Sequence, residues 1–133
     1  LGLARVAVGG LSMGGYVALR AIEREPGRFS ALLLCNTSAE PDTNAGKLKR
    51  HEAIRRLRQD DLDAYVEEFI DGVLMPETIA REPGKLDALR EMVRRNPAES
   101  WRHGFVALAA RHDLRPALAS VQAPTLIVAG ERD

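Results

Sequence analysis

An α/β fold built on parallel strands is what this 133-residue sequence predicts, on three observations. A β-branched run, Val6-Ala7-Val8, breaks into glycines around Ser12 and resumes at helical spacing, the pattern of a strand, a sharp turn and a helix. Two further apolar runs, at 29–35 and 125–129, are bounded by Pro, Gly, Asn and Asp and have the length of strands. Helical segments separate all three runs, and parallel strands need such crossovers.

Taken in order, residues 5–8 supply the first strand, and a helix follows over 13–25 until Pro26-Gly27 stops it. Met13, Val17, Ala18, Ala21 and Ile22 are its apolar positions. The run 29–35 is continuous enough to be a strand covered on both faces. A right-handed crossover places the two strands side by side, with Ser12 and the segment after Cys35 at the carboxyl edge, where open α/β sheets bind ligands. Residues 36–44 are rich in Asn, Thr, Ser, Pro and Asp and read as a loop leaving the sheet.

From 45 to about 112 the periodicity is helical and no strand is convincing. Helices are predicted over 46–59, from a cap at Asp60 to Met75-Pro76, and over 85–95. The last has Asn96 as cap, Pro97 at its first position and Glu99 completing a capping box. A short helix over 114–120 then leads through Pro124 to a third buried strand, which ends in Gly130-Glu131-Arg132-Asp133. Residues 1–39 and 115–133 thus form one sheet layer, and 40–114 a helical insertion. There is no internal repeat and no low-complexity tract.

Composition bounds the function. Hydrophobic residues at 45 % and charged residues at 29 % suit a soluble globular protein, and nineteen basic side chains balance nineteen acidic ones. A nucleic-acid partner is disfavoured, since it calls for clustered positive charge. No apolar run approaches the ~20 residues of a membrane span, and no signal peptide opens the chain, so a cytoplasmic setting is expected. The single cysteine, Cys35, reads as a small buried hydrophobe. No cofactor and no metal are expected. Because the sequence begins without Met, just before one strand, and stops just after another, it reads as an internal fragment, expected to be unstable and inactive alone.

Gly10, Ser12 and Gly14 match G-x-S-x-G, in which a serine on a strained strand-to-helix turn projects above the sheet and small residues flank it for lack of space. A serine hydroxyl is a weak nucleophile and needs a base, usually an imidazole oriented by a carboxylate. Asp133 is the candidate acid, because it follows a strand parallel to the one entering the turn; Asp42, separated from Cys35 by a loop of six residues, is the rival. His51, His103 and His112 all precede Asp133 and lie on or beside helices outside the sheet, which makes none of them a good base. For the oxyanion, Met13 offers its backbone N–H at the helix start, while its thioether is expected to pack.

Gly10-Leu11-Ser12-Met13-Gly14-Gly15, the Pro26-Gly27-Arg28-Phe29 entry into Leu32-Leu33-Leu34-Cys35-Asn36-Thr37, and Ala123-Pro124-Thr125-Leu126-Ile127-Val128-Ala129-Gly130-Glu131-Arg132-Asp133 together resemble the α/β-hydrolase fold. More narrowly they resemble its carboxylesterase and 3-oxoadipate enol-lactone hydrolase group. The resemblance implies a partial α/β-hydrolase: three parallel strands with flanking helices, and a helical cap, or lid, over residues 40–114. It also implies Ser12 as nucleophile, Met13 as oxyanion-hole donor and Asp133 as triad acid, with the family's histidine following the acid and so lying outside this sequence.

The substrate implied is a small ester or lactone, cleaved through an acyl-enzyme. Trp101, Phe105, Tyr65 and Phe69 are weak candidates for contacting it, and each also reads as helix-packing core. Lys47, Lys49, Arg50, Arg55, Arg56 and Arg58 make the first insertion helix basic, either as a solvated face or to attract anionic substrates. Perhydrolases, carbon-carbon bond hydrolases and non-catalytic receptors of the same fold are the alternatives.

Overall fold

Three parallel strands carry the first of two units, which comprises Leu1–Pro41 and Arg111–Asp133. The computed structural model describes residues 2–58 and 62–131. Strand β1 (Val6–Leu11) leads through helix α1 (Met13–Arg24) and a single 3-10 turn (Pro26–Arg28) to β2 (Phe29–Cys35). Strand β3 (Thr125–Val128) pairs on the other side of β2, giving the order β1-β2-β3. The register sets Leu11 against Cys35 and Cys35 against Val128, so all three strands end at one edge. Backbone bonds continue past the strands there: Ser12 N donates to Cys35 O, and Asn36 N to Val128 O, both at 2.9 Å.

β1 runs three residues beyond the predicted strand, because Gly9, Gly10 and Leu11 stay extended and pair with Leu33, Leu34 and Cys35. The core joins Ala18, Leu19 and Ile22 of α1 to Leu32 and Leu34 of β2 and to Leu114. With Gly15, the α1 residues form an i, i+3, i+4, i+7 stripe. Met13 and Val17, expected on that stripe, are rotated off it and remain 48 % and 63 % exposed, outside the buried core that the Met13 thioether was expected to join.

The expectation of strands covered on both faces is also corrected. Side chains alternate across a strand, and Leu32 and Leu34 are buried under α1 while Leu33 on the opposite face is 38 % exposed. β3, expected to be buried, is exposed along its whole length: the core that buries β2 under α1 includes none of its residues. Gly9, Ala31, Leu33 and Leu126 line an open apolar hollow of about 470 Å³ on the sheet.

The second unit, Asp42–Ala110, is helical. It contains α2 (Asn44–Leu57), α3 (Leu62–Val73), α4 (Pro76–Arg81), α5 (Pro83–Arg94) and α6 (Ala98–Ala109). α2 starts two residues before the predicted helix, because the Thr43 hydroxyl accepts from Gly46 N at 3.0 Å and caps it. The predicted cap Asp60 lies outside the described residues. Helix α4, a six-residue segment started by Pro76, is too short to show a period and was not predicted.

At α6 the expected capping box does not form. Pro97 is the N-cap, with no side-chain cap bond, and the Asn96 amide donates to Met92 O at 3.0 Å instead. α6 starts one residue later than expected, with Pro97 at the N-cap, so Asn96 falls outside it and its side chain bonds back to the helix behind. Val66, Ile70 and Val93 form this unit's core, with Phe69, Leu86, Leu89 and Trp101 packed against them. A four-residue helix α7 (Arg115–Leu118) lies in the first unit and precedes β3.

Candidate active site

The turn between β1 and α1 is held from three sides. Ser12 adopts φ 49° and ψ −113°, a region that costs a non-glycine residue about 1–3 kcal/mol and persists only where its surroundings impose it. Its N–H is engaged by Cys35, and its carbonyl accepts from Gly15 N at 2.9 Å and from the Thr37 hydroxyl at 2.8 Å. The side chain is exposed and makes no capping bond to the helix it precedes, which leaves the hydroxyl for other chemistry.

Packing explains two glycines and not the third. A Cβ on Gly10 would lie 2.1 Å from the Gly14 carbonyl oxygen, and one on Gly15 would lie 2.3 Å from the Thr37 hydroxyl. At Gly14 no atom among the described residues comes within 4 Å, so the expectation of crowding on both sides of the serine holds at Gly10 and moves to Gly15 on the other side. Met13 opens α1, where the first N–H groups have no acceptor within the helix and the helix dipole favours negative charge.

Asp133 lies outside the described residues. The loop that leads to it is anchored: Gly130 N donates to the Asn36 side-chain oxygen at 3.0 Å. Asn36 takes a left-handed φ of 42°, which lets its backbone N–H stay on the β3 ladder while the side chain turns to the loop. The sequence marks Asn36 and Thr37 as the start of a loop and as the end of a segment that carries the family resemblance, without giving either a role in the site.

The rival acid Asp42 accepts from Arg50 Nε at 2.5 Å within the helical unit. His112 Nε2 lies 3.5 Å from Glu23, whose carboxyl is held below the usual carboxylate range first by a hydrogen bond from Arg20. Glu23 is on the last turn of α1, about 16 Å along the helix from Ser12 at 1.5 Å per residue. His51 is on α2, and His103 is on α6 with Nε2 3.8 Å from Glu99.

In the helical unit Tyr65, Phe69, Trp101 and Phe105 form one aromatic cluster, with neighbouring ring centroids 5.5–6.3 Å apart. Burial pushes the Tyr65 hydroxyl up to about 12. Among the basic residues of α2, Arg50, Arg55 and Arg56 are paired with Asp42, Glu52 and Glu68. Among the described residues no cluster of His, Cys, Asp and Glu could hold a metal ion, and no helix is long and apolar enough to cross a membrane.

Residues 2–133 match the family model described as serine aminopeptidase, S33, a group of α/β hydrolases. The chain is 32 % identical over 127 residues to 3-oxoadipate enol-lactonase 1 of Acinetobacter baylyi, covering 93 % of this chain and 45 % of that protein. Among solved structures it is similar to a thermophilic esterase from Thermogutta terrifontis, with a TM-score of 0.89 and 30 % identity over 96 % of this chain and 47 % of that one. It is also similar to the enol-lactonase from Burkholderia xenovorans, with a TM-score of 0.85 and 26 % identity over 97 % of this chain and 48 % of that one. The chain therefore spans about half the length of the relatives it matches. Three parallel strands with flanking helices, the glycine-flanked turn at Ser12 and a family match over nearly every residue place the chain in the α/β-hydrolase family described as serine aminopeptidase, S33.

Proposed function

We propose that the protein carrying this chain is a serine hydrolase that cleaves a small carboxylic ester or lactone through an acyl-enzyme. The observation that carries the proposal is the geometry of Ser12: a strained φ, both backbone groups bonded, and a side chain kept off the helix cap. Ser12 Oγ attacks the carbonyl carbon while a general base takes its proton, and the C–O bond to the leaving group breaks as the tetrahedral intermediate collapses and the base passes that proton to the leaving oxygen. Met13 N–H, at the positive end of α1, donates to the oxyanion; one such donor lowers the barrier by about 2.7–4 kcal/mol. Asp133 orients the base, and water then releases the acyl group.

The ester or lactone class is supported by the enol-lactonase and esterase relatives. In this account residues 40–114 serve as a lid, the chain is one part of a longer protein, and alone it is inactive. Coverage of about half of each relative and the exposed sheet face at Leu33 and Leu126 support the partial reading. The family description names aminopeptidases, so an amide substrate is the second reading.

A substrate panel on the full-length protein tests the choice. Turnover of p-nitrophenyl esters and an enol-lactone, with aminoacyl p-nitroanilides at background, is the expected result. Turnover of the anilides alone would replace esters by peptides, and turnover of none would remove the hydrolytic reading.

A further inference from the structure

We propose that Asn36 and Thr37 are positioning residues that together fix the nucleophile turn and the acid-bearing loop at the end of β2. The inference rests on the assignment of Ser12 and Asp133 above. β2 is the central strand, so the two residues that follow it stand between the exits of β1 and β3. Thr37 serves the β1 side: its hydroxyl donates to Ser12 O at 2.8 Å, and its side chain occupies the space where a Cβ on Gly15 would fall. Asn36 serves the β3 side: its side-chain oxygen accepts from Gly130 N at 3.0 Å, three residues before Asp133 in the sequence.

Their backbones reinforce this division. Asn36 N donates to Val128 O, which keeps β3 aligned to its last residue, and the left-handed φ at Asn36 releases the chain from the sheet so that consecutive side chains serve opposite neighbours. The hydroxyl of Thr37 and the amide of Asn36 thus serve two different members of the triad, Thr37 through the backbone of Ser12 itself and Asn36 through the backbone of Gly130. Thr37 holds the turn at Ser12, and Asn36 holds the loop at Gly130.

The two residues predict separable defects in the full-length enzyme. Thr37→Val removes the donor and keeps the shape; kcat for a p-nitrophenyl ester falls about 10- to 100-fold with little change in KM, as expected for a misplaced nucleophile. Thr37→Ser restores the donor and recovers kcat to within about threefold of the parent. Asn36→Gly keeps the left-handed φ available and removes the acceptor.

A displaced acid stabilises the protonated base less, so in Asn36→Gly the acidic limb of the kcat/KM profile moves down by about half a pH unit or more. In Thr37→Val that limb stays where it is in the parent. Asn36→Asp, which keeps an acceptor for Gly130 N, shows no downward movement and guards against simple misfolding in the glycine variant. An unmoved limb in Asn36→Gly, or undiminished kcat in Thr37→Val, overturns the proposal while Ser12→Ala still abolishes turnover. Undiminished turnover in Ser12→Ala defeats the nucleophile assignment itself and this inference with it.

Discussion

A methyl group on Gly10 would sit 2.1 Å from the carbonyl oxygen of Gly14, across the turn that presents Ser12. That contact is backbone against Cβ, with no flexible side chain to give way. Gly10→Ala is therefore expected to displace the turn and reduce ester turnover by at least about 100-fold, the scale of a misplacement near 1 Å. Gly14→Ala, with open space around the added methyl among the described residues, is expected to keep the fold and to be far less damaging. Thermal unfolding and kcat/KM of the two variants check the ordering; equal damage would contradict it.

His112 is the one histidine in the sheet-bearing unit among the described residues, and it faces Glu23 at the far end of α1. His112→Ala should leave ester turnover within about twofold of the parent. A loss comparable to that of Ser12→Ala would identify it as the base.

Ile70 is 1 % exposed at the centre of the helical unit, beside Val66 and Val93. Truncation to alanine leaves a cavity there, and Ile70→Ala should cost about 2–5 kcal/mol, read as a lowered midpoint in chemical denaturation. A loss below about 0.5 kcal/mol would mean the unit does not pack around this residue.

Tyr65 carries a pH prediction. Its hydroxyl ionises at about 12 in the folded chain and near 10 when unfolded, because burial opposes the phenolate. The stabilising contribution is complete below pH 10 and is lost as the pH rises toward 12, since only the unfolded state releases the proton across that window. Difference titration of phenolate absorbance between the parent and Tyr65→Phe should show the Tyr65 transition near pH 12. A transition near pH 10 would place the ring in water.

Strand β2 was legible to its last residue because Pro26-Gly27 and Asn36 bracket an apolar run of strand length. The turn at Ser12 was legible because its glycines answer a local steric demand, although sequence spacing singled out Gly14 where the packing singles out Gly15. The exposure of β3 was hidden, since a run such as Leu126-Ile127-Val128 looks the same whether its faces are covered or open. Asn96 shows the limit of local rules: the same residue can cap the helix ahead or bond back to the helix behind, and here Pro97 takes the cap position of α6 while Asn96 bonds to Met92 O. The partnership of Asn36 with Gly130 joins residues 94 positions apart and depends on the strand order, which no local pattern encodes.

The central claim is that Ser12 is the residue this turn exists to present. Reaction of the full-length protein with a fluorophosphonate, followed by mass spectrometry of the digested adduct, tests it most directly. The account predicts a single covalent phosphonate on the peptide containing Ser12, absent from Ser12→Ala. Modification at another serine, or no adduct on a folded and otherwise active protein, would contradict it.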